Sequence, residues 1–428
     1  MEIGGEDITS DEYDRYMSRG KKRHGHSKKR RHVKKLLLVI AVLLLLAGAV
    51  SWYLPLPAIS ATITTPDLTS AKINLPWPSY GEAAVGATGY GVLETNGQQI
   101  MLPTASVAKL ITALAVLKEY PLALGQQGPT ITLGPADVAS YNHYLSVDGS
   151  VIKVVDGEQI TEYQAIEAML LPSANNMADS LATWAFGSLP NYVSSANQLL
   201  KSLGLAQTVV ADDASGFLPN TKSTASDLVE LGQATLANPV LQQVVGEKQA
   251  NLPEAGTVNN VNWLLGQNGV IGIKTGNTTQ AGGVYLFASK YAVSSEYSVT
   301  IIGAIMGAPT LQAALNSSVP LLQDTVNNFQ VKNIIASGEI VGYYTAPWNN
   351  VRVDAAASQN VAVPIWNGLG PKPQAALNAI YSPINGGSRV GYVSTSFNGS
   401  TYSSPVTLSR SIGNPPWYWR ILRHKLHF

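Results

Sequence analysis

The chain has 428 residues, of which 45% are hydrophobic and 13% are charged, and its formal net charge is +1. This composition excludes a disordered chain and supplies a large core, and the length predicts two or three domains. Cysteine is absent, which excludes disulfides, thiol catalysis and cysteine-based metal sites, and the six histidines show no ligand-like spacing. The sequence therefore predicts neither a metal nor a cofactor.

The N-terminal tail, residues 1–35, is the basic part of the chain. It holds 11 of the 28 Lys and Arg residues and 6 of the 27 Asp and Glu residues, so the remainder is mildly acidic and no nucleic-acid partner is expected. Residues 36–54 are uncharged and almost wholly apolar, as a transmembrane helix requires. Basic flanks stay in the cytoplasm, so we expect a single-pass anchor in the cell membrane, with the following domains extracytoplasmic. A cleaved signal peptide is the alternative, because Ala58-Ile59-Ser60 resembles a cleavage site.

Five prolines mark residues 55–80 as an extended linker. The body, residues 81–335, begins with a predicted hairpin over 89–101 that turns at Asn96-Gly97, and a helix is predicted over 105–118. Further elements are predicted in the order helix 162–171, helix start 223–227, strands 269–275, 284–289 and 298–304, and helix 310–330. Because helices and strands form blocks, the sequence predicts an α+β fold, with one mixed sheet and a helical subdomain.

The C-terminal part of the chain changes in character. Residues 338–412 contain short apolar runs separated by turn residues, which predicts a small all-β domain. Residues 413–428 mix aromatic residues with cations. Such a segment lies either on a membrane surface or on its own domain.

Ser106 and Lys109 form the first candidate site. Their spacing places both side chains on one face of the predicted helix. A lysine among apolar neighbours loses its proton easily, because burial lowers its pKa, and a neutral amine can serve as the base for a serine nucleophile. This pattern is common by chance, and a capping serine with a solvated lysine is the alternative.

Two further motifs carry polar groups at the ends of predicted elements. Ser173 and Asn175 follow the helix over 162–171, where a hydroxyl and an amide two positions apart can face one site. Lys274, Thr275 and Gly276 end an apolar strand. A cation and a hydroxyl at that position can hold a substrate carboxylate, and a glycine admits a close approach to the backbone.

Together, the order of these motifs, S-x-x-K, S-x-N and K-T-G, resembles that of penicillin-binding proteins and serine β-lactamases. The sequence resembles most closely the low-molecular-mass D-alanyl-D-alanine carboxypeptidases over about residues 85–330. Matching segments are 103–110, 170–176, 215–216, 223–228 and 272–278, and residues 338–412 resemble the C-terminal domain of that family more loosely. Three positions depart from the family pattern, where Thr, Gly and Asp are usual: Ala108, Ala174 and Asn176.

The resemblance implies a β-lactamase/transpeptidase-like fold and a serine-type carboxypeptidase that removes the terminal D-alanine from peptidoglycan stem peptides. Ser106 would attack the carbonyl and Lys109 would take its proton. Ser173 or Lys109 would protonate the leaving D-alanine, and Asn175 would orient the substrate or Lys109.

The resemblance also implies the substrate-binding residues. Lys274 and Thr275 would hold the terminal carboxylate, Gly276 would complete the substrate-binding motif, and the backbone N–H groups of Ser106 and Asn277 would hold the oxyanion. β-Lactam antibiotics would acylate Ser106. The alternatives are a peptidoglycan DD-endopeptidase, a serine β-lactamase and a weakly catalytic wall-binding protein.

Overall fold

A computed structural model of the protein describes residues 10–64, 73–397 and 399–423, with side chains from residue 30 onward. Residues 1–9 of the predicted tail, 65–72 of the predicted linker and 424–428 of the predicted C-terminal segment lie outside the described residues.

The elements alternate in blocks along the chain. The helices are α1 (Ser10–Tyr53), α2 (Lys109–Glu119), α3 (Pro135–Ser146), α4 (Glu162–Leu170), α5 (Asn175–Phe186), α6 (Leu189–Ser202), α7 (Ala225–Ala237), α8 (Pro239–Val245), α9 (Leu311–Asn327) and α10 (Trp417–Leu422), and a 3₁₀ turn spans Ala105–Ala108. The strands are β1 (Ser60–Ile63), β2 (Glu82–Ala87), β3 (Gly91–Asn96), β4 (Leu102–Pro103), β5 (Thr130–Thr132), β6 (Gln159–Thr161), β7 (Lys222–Ser223), β8 (Gln249–Leu252), β9 (Gly256–Asn259), β10 (Val270–Thr278), β11 (Gly282–Ala292), β12 (Ser298–Ala308), β13 (Phe329–Ile335), β14 (Ile340–Thr345), β15 (Arg352–Ala357), β16 (Val361–Trp366), β17 (Gln374–Leu377), β18 (Arg389–Phe397) and β19 (Ser400–Leu408).

A five-stranded antiparallel sheet in the order β10-β11-β12-β2-β3 organises the central domain. Its strands alternate between two cores: Val284 and Leu286 of β11 pack into the core with the helices α2 and α4–α8, whereas Tyr285 and Phe287 pack into the core shared with α9 and the C-terminal strands. Both faces of the sheet are therefore covered. The sequences of the central strands are continuous apolar runs, because neither face of these strands meets solvent.

The predicted α+β fold with a helical subdomain is confirmed. The central sheet was predicted to be mixed, but each pair of neighbouring strands in it is antiparallel. The predicted helix over 105–118 is divided into the 3₁₀ turn Ala105–Ala108 and α2.

The predicted hairpin over 89–101 is wrong. β3 pairs with β2, from Ala87↔Gly91 to Ala83↔Asn96, so the chain turns over residues 88–90 and not at Asn96-Gly97. β2 was overlooked because it is buried on both faces and shows no alternation. The turn itself uses Gly89, whose φ of 84° favours glycine.

The C-terminal strands form a six-stranded sheet in the order β1-β14-β15-β19-β18-β17, beside the two-stranded β13-β16 ribbon. Two boundaries differ from the prediction. The expected linker over 55–80 contains β1, which pairs with β14 from Ser60↔Thr345 to Ile63↔Gly342, and the β structure starts at Phe329 rather than at residue 338. β1 has only four residues, all exposed, so long-range pairing and not local pattern determines it.

Among the described residues, Arg30–Tyr53 is one helix that is long and apolar enough to cross a membrane, with 24 residues and a mean hydropathy of 2.5. It forms the C-terminal half of α1, and its apolar side chains are exposed.

Candidate active site

The 3₁₀ turn that carries Ser106 is enclosed by two glycines. A Cβ at Gly216 would lie 2.1 Å from the carbonyl oxygen of Ala105, and a Cβ at Gly276 would lie 2.9 Å from the Cβ of Ala105 and 3.0 Å from the backbone nitrogen of Ser106. Strand β10 and the loop before β7 can approach the turn only because these positions lack side chains. Gly276 therefore serves first to seat β10 against the turn that holds Ser106.

Lys109, the first residue of α2, is completely buried. Its Nζ lies 2.8 Å from Ser106 Oγ, 2.7 Å from Asn175 Oδ1 and 3.1 Å from the carbonyl oxygen of Ser215. The structure thus brings together Ser106, Lys109 and Asn175, which the sequence predicted as neighbours.

Electrostatics favour a neutral Lys109. Burial lowers its pKa well below the usual value, and the nearby Lys274 lowers it further, whereas Asp213 and Asp179 oppose the shift. The three contacts suit both protonation states. An ammonium donates to all three oxygens, while a neutral amine donates to the two carbonyl oxygens and directs its lone pair at Ser106 Oγ. The pair can therefore exchange a proton without moving a heavy atom.

Ser173 lies in the connection between α4 and α5, and Asn175 is the first residue of α5. Ser173 is buried and has a φ of 67°, a conformation that non-glycine residues rarely adopt. The N–H of Asn175 donates to the carbonyl of Ser150 at 2.7 Å. Asn176 pairs twice with the backbone of Ile152, accepting at 3.2 Å and donating at 3.1 Å. An aspartate at position 176 would lack the amide N–H that donates to Ile152. The asparagine, which departs from the family pattern, therefore helps to hold the segment 150–152 against the start of α5.

Lys274 and Thr275 are buried on β10, and Asn277 near the end of the strand is exposed. Lys274 Nζ donates to the carbonyl of Thr275 at 3.0 Å. Burial lowers the pKa of Lys274 to about 7. A substrate carboxylate at this ammonium would stabilise its charge, and that charge in turn lowers the pKa of Lys109.

Asp213, which none of the predicted motifs includes, is a buried residue that shapes the loop beside Lys109. Its carboxylate accepts hydrogen bonds from the backbone N–H groups of Ser215, at 2.8 Å, Gly216, and Leu218, at 2.7 Å. These bonds fix the Ser215 carbonyl that Lys109 contacts. The signal in the sequence was an aspartate two and three residues before Ser-Gly, which is typical of a side chain that closes a turn on its own backbone.

Asp179 also lies outside the predicted motifs. It lies one helical turn after Asn175 on α5, and it accepts a hydrogen bond from the Tyr144 hydroxyl at 2.8 Å. Burial raises the pKa of Asp179 to about 6, although the Tyr144 hydrogen bond opposes the shift. No local pattern distinguishes this carboxylate from a solvated one, because α3 supplies Tyr144 from a distant part of the chain.

The fold and the site define a serine hydrolase of the DD-peptidase kind. The structure of penicillin-binding protein 5 from Haemophilus influenzae is similar, with a TM-score of 0.55 and 20% identity, covering 82% of this chain and 100% of that one. A family profile described as D-alanyl-D-alanine carboxypeptidase matches residues 84–310. The chain belongs to the D-alanyl-D-alanine carboxypeptidase family.

Two relatives illustrate the extent of the likeness. The D-alanyl-D-alanine carboxypeptidase DacA of Escherichia coli (strain K12) is 24% identical over 399 residues, which cover 87% of this chain and 96% of the relative. The D-alanyl-D-alanine carboxypeptidase DacB2 of Mycobacterium tuberculosis (strain ATCC 25618 / H37Rv) is 31% identical over 204 residues, which cover 46% of this chain and 66% of the relative.

Proposed function

We propose that the chain removes the terminal D-alanine from peptidoglycan stem peptides through an acyl-enzyme on Ser106. The observation that carries the proposal is the 2.8 Å contact between Ser106 Oγ and the Nζ of the completely buried Lys109. A serine hydroxyl needs a base within hydrogen-bond reach, and burial favours a neutral Lys109 because it lowers the pKa of that lysine well below its usual value.

In acylation, Ser106 Oγ attacks the carbonyl between the two D-alanines while its proton passes to Lys109 Nζ. The C–N bond then breaks, and the leaving amine takes a proton from Lys109, directly or through the hydroxyl of Ser173. Water then attacks the resulting ester while Lys109 accepts its proton, and the C–Oγ bond breaks as Lys109 returns that proton to Ser106 Oγ. Asn175 holds the Lys109 side chain in place throughout, because Asn175 Oδ1 accepts a hydrogen bond from Lys109 Nζ at 2.7 Å.

Lys274 and Thr275 bind the free carboxylate of the substrate, and Gly276 keeps β10 close to Ser106. A charge-assisted hydrogen bond of this kind is roughly twice as strong as a neutral one. The backbone N–H groups of Ser106 and Asn277 hold the oxyanion, and the loss of such a donor costs about 3–4 kcal/mol of transition-state stabilisation in other hydrolases.

The domain arrangement fits work at the outer face of a cell membrane. We propose that α1 is retained as a single-pass anchor, with the basic tail 1–35 in the cytoplasm and the catalytic domain outside, where the peptide substrate lies. The long basic segment before the apolar run supports retention over cleavage. β-Lactams are expected to acylate Ser106, because they present a carboxylate and a reactive carbonyl to the same groups.

The test measures D-alanine released by the detergent-solubilised full-length protein from a pentapeptide that ends in D-Ala-D-Ala. We expect release by the wild type and a loss of at least about 10³-fold in S106A, since a removed nucleophile typically costs this much or more. S337A, an exposed hydroxyl of the C-terminal domain, is the matched control. Release that is equal in S106A and S337A would contradict the proposal.

The same preparation separates the alternatives. Preferred cleavage of cross-linked peptide dimers over the pentapeptide would indicate an endopeptidase. Rapid turnover of penicillin, in place of a persistent acyl-enzyme on Ser106, would indicate a β-lactamase. Absence of both release and labelling would indicate a wall-binding protein.

A further inference from the structure

The end of α1 is enclosed by the C-terminal helix, and the contacts form a defined joint. Ser51 is only 4% exposed in a helix whose neighbouring side chains are exposed, and its hydroxyl donates to the carbonyl of Arg420 at 2.8 Å. A Cβ at Gly48 would lie 3.7 Å from Ile421 Cγ2. A small residue of this kind lets two helices approach closely.

Arg423 supplies what α1 lacks at its C-terminus. The last turn of α1 contains no basic residue, and its final carbonyls have no partner within the helix. The guanidinium of Arg423 donates to the carbonyls of Ser51, Leu54 and Pro55, at 2.8, 2.9 and 2.8 Å. A cation at this end also interacts favourably with the helix dipole.

The same short helix also contacts the C-terminal domain. Trp419 packs edge-on against Trp348, with ring centroids 5.7 Å apart, and Trp348 is buried in that domain. On the other side, Arg420 lies over the ring of Trp52, 5.2 Å from its centroid. α10 thus connects α1 to the β domain.

A second connection runs through the chain itself. Only residues 54–59 separate α1 from β1, and Ile59 is buried and forms a bridge with Ile380. β1 then pairs along β14. The segment 54–59 and the separate helix α10 both connect the end of α1 to the β domain. The outer end of α1 therefore cannot swing freely relative to that domain.

We propose that α10 is an intramolecular receptor for the outer end of the transmembrane helix, and that this joint holds the catalytic domain at a fixed height and tilt above the membrane. The inference rests on the proposed retention of α1 as an anchor. Both helices carry exposed aromatic rings at the joint, namely Trp52 and Tyr53 on α1 and Trp417 and Tyr418 on α10. Such rings favour the headgroup level of a membrane.

The absence of cysteine allows a direct test in intact cells. Under mild oxidation, G48C combined with I421C is expected to form an intrachain disulfide, detected as a linked peptide by mass spectrometry. The matched control combines L38C with I421C, which places the first thiol about 15 Å further along the helix at ~1.5 Å per residue, and it should form none. Adding R423A should lower the yield several-fold. R423K should lie between, because lysine keeps the charge without the planar fork.

Equal yields for the two pairs, a disulfide found only between two copies, or a mature chain that lacks residues 36–54 would overturn the joint. D-Alanine release is measured on the same samples. Release without the disulfide contradicts the joint alone, and the disulfide without release contradicts the proposed function alone.

Discussion

At the scale of single residues, the site depends on two buried lysines that must hold opposite charge states. In the proposed mechanism Lys109 acts as a neutral amine and Lys274 as a cation, although burial lowers the pKa of both. Their proximity favours this division, since a charge on Lys274 disfavours a second charge on Lys109. The pH dependence of the reaction should report on each lysine separately.

The substitution K274R should change the basic side of the pH profile. The pKa of Lys274 is about 7, so the wild type loses the cation, and kcat/KM should fall as the pH rises through about 7. An arginine stays charged to above pH 12, so the fall should move to higher pH even if the absolute rate drops. A profile of kcat/KM from pH 5 to 10 measures this, and an unchanged basic limb would contradict the role of Lys274.

The substitution D179N should change the acidic side. The carboxylate of Asp179 raises the pKa of Lys109, against burial and Lys274. Without that charge Lys109 becomes neutral at lower pH, so the rising limb of kcat/KM should move to lower pH. D156N, an exposed carboxylate, is the control and should leave the limb in place. A limb that stays in place in D179N would show that Asp179 has only a structural role.

At the scale of elements, the central observation is the close contact between β10 and the 3₁₀ turn. The K-T-G motif predicted a binding strand, and Gly276 was expected to admit a ligand. The structure shows that Gly276 also admits the turn itself, because a Cβ there would lie 3.0 Å from the nitrogen of Ser106. In the proposed mechanism, the motif would thus couple carboxylate binding to the position of Ser106.

The substitution G276A tests this coupling. The added methyl must displace backbone on one side, which typically costs ~1–3 kcal/mol in a packed site. We expect penicillin acylation of Ser106 to slow by about tenfold or more while the fold is retained, measured by fluorescent penicillin labelling and circular dichroism. G413A, where a Cβ meets no atom within 4 Å, should label like the wild type, and equal labelling of G276A would contradict the contact.

At the scale of the whole molecule, β1 makes the segment after α1 part of the C-terminal domain. A chain that starts at residue 55 keeps β1, whereas a chain that starts at residue 73 loses it and exposes the edge of β14. Burial of Ile59 alone contributes ~1.5–3 kcal/mol. We therefore expect the shorter chain to unfold several degrees lower, at about 2–4 °C per kcal/mol. Differential scanning calorimetry measures the difference in Tm between the two chains. D-Alanine release at 25 °C is the control and should be equal in both. Equal Tm values would show that β1 contributes no stability.

The sequence alone determined the features that depend on local order. Ser106 and Lys109 lie three residues apart, so any helical turn brings them together, and the 2.8 Å contact follows from that spacing. The apolar run of α1 and the blocks of helices and strands are equally local, because periodicity and length are properties of short segments.

Only the tertiary structure decided what depends on segments far apart in the chain. Asp213 and Asp179 contribute to the environment of Lys109 from other elements, Gly276 matters because β10 passes the turn, and Arg423 meets carbonyls at the other end of the chain. The sequence predicts a linker where β1 lies, because the four exposed residues of β1 have no pattern of their own. Pairing with the edge of β14 makes them a strand. The spacing of Ser106 and Lys109 is thus a property of the local sequence, while the pKa of Lys109 and the contact between α1 and α10 depend on packing between distant elements.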